Sequence, residues 1–207
     1  MTYMINSRNE WDPLETIVVG EASMANWPMS DPVFFEQARN SRWRESPAPS
    51  GPVEQEIVDQ TNRELDILAE TLLRYGAKVS RPAPMDFPKV QGMYNYCPRD
   101  RLLVYGDTVI DTAMMYPCRD IEVELLTEVT NRGRLIQMPR DQGLVLDAAN
   151  VCRLGDSMLF LESASGNRAA YDWLCAEFPD VNIELCNFYS GVHIDSTIVP
   201  LREGLVL

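Results

Sequence analysis

Leu102-Leu-Val-Tyr-Gly-Asp-Thr-Val-Ile110 places two apolar, β-branched runs on either side of Gly106-Asp107. Such runs flanking a Gly-Asp pair read as two strands joined by a tight hairpin, because glycine supplies the positive φ that the turn needs. The stretch recurs. Val151-Cys-Arg-Leu154 and Ser157-Met-Leu-Phe-Leu161 flank Gly155-Asp156, and Ile198-Val-Pro-Leu201 and Leu205-Val-Leu207 flank Gly204. The turn glycines 106, 155 and 204 are spaced by 49 and 49 residues. The segments after the first two turns also match in order. A helix near 118–131, ending at Gly133, precedes a strand at Arg134–Met138. A helix near 167–178, burying Ala170, Trp173, Leu174 and Phe178, precedes a strand at Asn182–Cys186. A fixed period of this size indicates an array of one supersecondary unit, here strand, strand, helix, strand. The fold class is therefore α/β, built from repeated ββαβ units. Such units bury their faces against their neighbours. The last one carries only its hairpin, which predicts an open edge that a second chain would cover.

Working outward, Glu15-Thr-Ile-Val-Val-Gly20 reads as a short buried strand. Residues 22–52 show no clear period and read as a long surface excursion. A helix is expected over roughly 53–75, with Pro52 in its first turn, Gly76 as its stop, and Ile57, Val58, Leu65, Leu68, Leu72 and Tyr75 on one face. Ala77–Arg81 follows as a strand. This segment reads as an earlier copy of the unit carrying an insertion. All 207 residues are expected to form a single domain with a sizeable core.

The charge excludes some classes of function. Lys and Arg number 18 against 31 Asp and Glu, a formal charge of −13. A chain this acidic repels phosphate backbones, so nucleic acid is excluded as a partner. No signal peptide and no apolar run of membrane-spanning length is present, so no membrane partner is expected. The five cysteines have irregular spacing and no Cys-x-x-Cys pair. They read as reduced thiols in a cytoplasmic protein, with neither zinc nor a disulfide framework.

Three short polar segments precede hairpin strands at corresponding places: Cys97-Pro-Arg-Asp100, Leu146-Asp-Ala-Ala-Asn150 and Val192-His-Ile-Asp-Ser-Thr197. Equivalent edges of a propeller-like array converge, which would bring together Asp100, Asp147, Asp195 and His193, the only histidine. Clustered carboxylates repel unless a cation relieves them. A planar guanidinium matches carboxylates through bidentate hydrogen bonds. A metal fits poorly, because one histidine and scattered aspartates lack ligand spacing. Taken singly, Asp147 could cap a turn, Asp100 could be a surface charge and His193 could be a satisfied core histidine. The repeat register favours function for the set.

Asn9-Glu-Trp-Asp-Pro-Leu14, Cys97-Pro-Arg-Asp100, Asp147-Ala-Ala, His193-Ile-Asp-Ser-Thr197 and Pro200-Leu-Arg with Gly204-Leu-Val-Leu207 occur in this order. Together they resemble the glycine and inosamine-phosphate amidinotransferases, including those of cyanobacterial toxin pathways. The resemblance implies a pentein-type α/β-propeller, of which this chain would hold about three and a half of five units. It implies transfer of an amidino group from L-arginine to an amine through an amidino-cysteine intermediate, without a cofactor. By the same resemblance, Asp147 holds the guanidinium and partners His193, the general acid and base. Asp100, Asp195 and Arg99 are substrate-binding residues. The family's nucleophilic cysteine and its carboxylate-gripping arginine have no counterpart in these residues. This points to a homo-oligomer or a complementing chain, or to a guanidine-binding or regulatory protein, or to a related guanidine hydrolase. The family pattern has an acid where Asn150 stands, which is expected to loosen the local charge network. The stretch between Pro117 and Asp147 also reads as shorter than in the family.

Overall fold

The computed structural model describes residues 4–40, 49–189 and 191–207. The chain divides into two compact units. One comprises Glu15–Pro98 with Tyr116–Glu128. The other comprises the N-terminal segment through Leu14, Arg99–Met115 and Val129–Leu207.

The first unit contains β1 (Thr16–Val18), β2 (Asn26–Trp27), α1 (Pro32–Asn40), β3 (Gly51–Pro52), α2 (Gln55–Arg74), β4 (Lys78–Ser80) and α3 (Phe87–Val90). β1 pairs in parallel with β4, and α2 lies on the crossover between them, as expected of an earlier copy of the repeat. The excursion expected at 22–52 is corrected. It contains β2, α1 and β3, and Ala22, Ala25, Phe34 and Ala38 are buried. The Asp31 carboxylate caps α1, accepting from Val33 N at 2.9 Å and Phe34 N at 3.0 Å, and Pro32 occupies the first helical position. Residues 41–48 lie outside the described set.

α2 starts two residues later than expected, and Pro52 belongs to β3. Its buried stripe also differs from the expected face. Val58 and Ala69 are buried, Leu65 and Leu72 half-buried, and Ile57, Leu68 and Tyr75 exposed. The inward stripe includes Asn62, whose side chain accepts from Ala22 N at 2.8 Å, so a polar residue holds a place that hydrophobicity alone would not assign. The helix expected near 118–131 is replaced by a 3-10 stretch, Pro117–Leu125, followed by the short α5 (Thr127–Thr130). Residues three apart eclipse on a 3-10 helix. That brings Arg119 onto Glu122 as a buried bidentate pair at 2.7 and 2.9 Å.

The second unit carries the repeat. α4 (Pro98–Arg101) leads into β5 (Leu102–Tyr105) and β6 (Thr108–Asp111), and β7 (Arg134–Gln137) pairs in parallel with β6. β8 (Val151–Arg153), β9 (Ser157–Leu161), α6 (Arg168–Glu177) and β10 (Asn182–Cys186) repeat that order and pairing. β11 (Pro200–Arg202) and β12 (Leu205–Val206) form a third antiparallel hairpin. The turn glycines 106, 155 and 204 have φ of +59, +84 and +73°, the left-handed region that their sequence position predicts. The N-terminal segment ties two of these turns, since Ser7 exchanges backbone bonds with Gly106 and Arg8 O accepts from Gly155 N. The core holds Leu103, Ile110, Leu146, Val151, Phe160 and Leu174, all inaccessible to water. Each such side chain contributes about 1.5–3 kcal/mol on burial.

Candidate functional site

Asp100, Asp147 and His193 each lie in or beside a short helical turn that precedes a hairpin strand. Asp100 is in α4, Asp147 precedes the 3-10 turn Ala148–Asn150, and His193 precedes the 3-10 turn Ile194–Ser196. The structure brings them together within the second unit. His193 Nε2 lies 3.2 Å from Asp147 Oδ2, and Nδ1 lies 4.0 Å from Asp100 Oδ1. Asp147 is buried, and its other oxygen accepts from Met115 N at 3.2 Å. Its own amide donates to Ser165 O at 2.7 Å.

Burial alone would lower the pKa of His193. The hydrogen bond to Asp147 and the charges of Asp100, Asp147 and Asp195 outweigh it, so the net shift is upward. Asp195 is pushed up by burial, with Asp100 and Glu10 adding, while Arg99 and His193 oppose. A half-buried imidazole among carboxylates is suited to carry a proton near neutral pH. Acceptor-only carboxylates beside it match the donors of a guanidinium.

Arg99 lies at the same place but is already engaged. It donates to Ala148 O at 2.9 Å and Val151 O at 2.7 Å. Glu10 Oε1 and Asp195 Oδ2 flank it at 3.7 and 3.8 Å. These bonds clasp the turn that carries Asp147. Sequence reasoning did not single out Glu10 or Arg153. Arg153 forks onto Glu10 at 2.9 and 2.7 Å and also donates to Ser7 Oγ and Val104 O. For Glu10, burial pushes the carboxyl up, but the bonds and charge of Arg153 and the charge of Arg99 outweigh it and hold it low. The available signal was the acid inside Asn9-Glu-Trp-Asp.

Three of the five thiols are poorly poised for attack. Burial pushes Cys152 up to about 11, with Glu10 adding. Burial likewise raises Cys186 and Cys118, helped by Glu184 and Asp31 respectively. All three are protonated at neutral pH, and a protonated thiol is a poor nucleophile. Among the described residues, no group of three or more His, Cys, Asp and Glu is arranged to hold a metal ion, and no helix is long and apolar enough to cross a membrane.

No family model matches the chain. Individual relatives do. Inosamine-phosphate amidinotransferase 1 of Streptomyces griseus is 35% identical over 239 positions, covering 99% of this chain and 69% of the relative. The alignment is longer than the chain, so the relative carries insertions within the matched span. The L-arginine:L-lysine amidinotransferase of Pseudomonas savastanoi pv. phaseolicola is 28% identical, covering 100% of this chain and 69% of its own length. The solved structure of the S. griseus enzyme superposes with a TM-score of 0.86 at 34% identity, covering 99% of this chain and 69% of that one. The saxitoxin-pathway amidinotransferase SxtG of Microseira wollei shares the fold, with a TM-score of 0.77 at 22% identity over 98% of this chain and 68% of its own. The fold is therefore the pentein type, and the motifs that suggested it lie inside the matched span. By sequence and by structure, this chain belongs to the inosamine-phosphate amidinotransferase family.

Proposed function

We propose that this chain binds L-arginine through its guanidinium and manages the protons of amidino transfer to an amine. The observation that carries the reading is His193 held between two carboxylates, 3.2 Å from Asp147 and 4.0 Å from Asp100. Family membership supports it, as does the arginine donor named for the Pseudomonas relative. The relatives align across both units, so we propose that residues 1–207 work as one amidinotransferase-type domain.

In this reading Asp147 and Asp100 accept from the guanidinium, and Asp195 adds charge from the rim. A cysteine thiolate attacks the guanidinium carbon, and the bond from that carbon to the departing nitrogen breaks. His193 donates its proton to the nitrogen as ornithine leaves. In the return half, the acceptor amine attacks the amidino carbon, gives its proton to His193, and the thiolate departs. We assign the thiolate to none of Cys118, Cys152 and Cys186, because burial holds all three protonated. A complementing chain is the source we propose for it. Arg99 acts through the backbone of the Asp147 turn, since a guanidinium already bound to two carbonyls is a poor ligand for another cation.

The raised thiols favour one second reading, a guanidine-binding protein that performs no covalent step. Calorimetry with L-arginine tests the shared part. Asp147→Asn is expected to weaken binding at least about tenfold, since it removes the charge of one buried acceptor. Unchanged affinity would remove Asp147 from the site and sink both readings. Intact-mass spectrometry with L-arginine then separates them. An amidino adduct with ornithine release supports transfer, and binding without either supports the second reading.

A further inference from the structure

We propose that Asn150, Ser163 and Ser165 are positioning residues that fix the distance between Asp147 and His193. The proposal rests on reading that pair as the proton-handling site.

Asn150 and Ser165 are both almost wholly buried. Asn150 Nδ2 donates to Ser165 O at 2.8 Å and to Ser165 Oγ at 2.9 Å. A carbonyl oxygen can only accept, so the nitrogen of the amide must face it. Asn150 Oδ1 then faces Ser163 Oγ at 3.2 Å. Both serine hydroxyls lie 3.0 Å from Val192 O. Each hydroxyl has one proton to give. When Ser163 donates to Asn150 Oδ1, Ser165 donates to Val192 O, and every member of the set is paired.

Ser165 therefore touches both halves of the site. Its carbonyl accepts from the Asp147 amide, and its hydroxyl holds the carbonyl of the residue preceding His193. Room for the set comes from Gly166. A Cβ there would stand 2.9 Å from Leu161 O and 3.1 Å from the Asn150 side chain. Asn150 itself is held by two donated bonds and one accepted. An ionised carboxylate at 150 would turn an acceptor toward Ser165 O with no proton to share. The set is also uncharged. The groups facing His193 thus remain the carboxylates Asp100, Asp147 and Asp195, with Arg99 beyond them.

The test uses the fact that His193 is the only histidine, so its ring protons titrate alone in an NMR spectrum. The double variant Ser163→Ala/Ser165→Ala removes both hydroxyls that face Val192 O, including the Ser165 donor. Its His193 midpoint is expected to fall from the elevated wild-type value toward the ordinary one by about half a unit or more. Met158→Ala, a buried core change with no hydrogen bond to lose, is expected to leave the midpoint in place while lowering stability. A double variant that folds with an unmoved midpoint overturns the proposal. So does an equal drop in Met158→Ala, which would make the effect one of general packing. Should the double variant not fold, Ser165→Ala alone, which removes the donor to Val192 O, is titrated. A smaller fall is expected there, and none overturns the proposal. Failure of the functional reading shows elsewhere, as an L-arginine affinity that Asp147→Asn does not change, so the two failures are distinguishable.

Discussion

The turn that carries Asp147 and the turn that carries His193 have the same shape and opposite settings. Each is a residue of extended backbone followed by three residues of 3-10 helix. From Asp147 to Asn150 every residue is buried. After His193 only Ile194 is buried, and Asp195, Ser196 and Thr197 face solvent. The buried turn is held from all sides, by Met115 N on the carboxylate, by Ser165 O on the amide, and by Arg99 on the carbonyls of Ala148 and Val151. The exposed turn has two anchors, Ile194 in the cluster with Cys152, Leu161 and Cys186, and the serine hydroxyls on Val192 O. The pair thus joins a fixed acid to a base with a solvent-facing flank. The proton-carrying role proposed for His193 would use such a flank, because the proton must be exchanged, while the group that orients the ring must not move.

The largest effect expected from breaking this contrast is at Arg99. Arg99→Met keeps much of the stem but removes both charge-assisted bonds to the Asp147 turn. A loss of about 2–3 kcal/mol is expected in denaturant unfolding, with a lower His193 midpoint as the turn loosens. A loss under about 0.5 kcal/mol would mean that the clasp carries little energy. Arg99 would then return as a candidate contact for substrate.

The two turns also differ in how much of them the sequence disclosed. Their acids and the histidine were legible because the 49-residue glycine period put three polar segments in register, and chain order then implied their convergence. The supports were not. Asn150 is separated from Ser163 and Ser165 by the β8–β9 hairpin, and no pattern of spacing says that two hydroxyls will meet one carbonyl. The family resemblance implied Arg99 as a substrate-binding residue, but nothing in Cys97-Pro-Arg-Asp100 says that its guanidinium will reach the carbonyls of Ala148 and Val151. The helix at Pro32–Asn40 was missed because residues 22–52 were read together as one stretch without a period. The 118–131 segment misled for a different reason. Arg119 and Glu122 are compatible with an α-helix surface, and only their burial as an eclipsed pair selects the 3-10 form.

An intermediate effect is expected from pH. The His193 pKa is raised in the folded state above its ordinary 6.5. Its contribution to stability is therefore fully present below the unfolded value and is lost as pH rises through the folded value. Unfolding free energy should fall as pH is raised from about 6.5, by about 1.4 kcal/mol for each unit of elevation. His193→Gln should flatten that segment of the profile. A wild-type profile with no fall in this window would mean that the Asp147–His193 bond does not favour the charged ring.

The smallest effect belongs to the exposed turn, at Asp195. Its pKa is also raised in the folded state, by burial first, against the opposing charges of Arg99 and His193. The sign is therefore that of His193, at lower pH. The fold favours the protonated carboxyl, and ionised Asp195 costs stability once pH exceeds its folded value. Its side chain is 37% exposed, so solvent screens much of that cost. Asp195→Asn is expected to be neutral or to stabilise by a few tenths of a kcal/mol at pH 7, and to change nothing near pH 3, where both states bind the proton. The same change removes a charge that lifts His193, so the ring's NMR midpoint should move down slightly while L-arginine binds less tightly. Slightly better folding with poorer binding would mark Asp195 as a group retained for the ligand at a small cost in stability. A loss of more than about 1 kcal/mol would instead show that the 3.8 Å approach to Arg99 braces the turn. The His193 turn would then be held from a third side, and the contrast between a fixed acid and an open base would narrow.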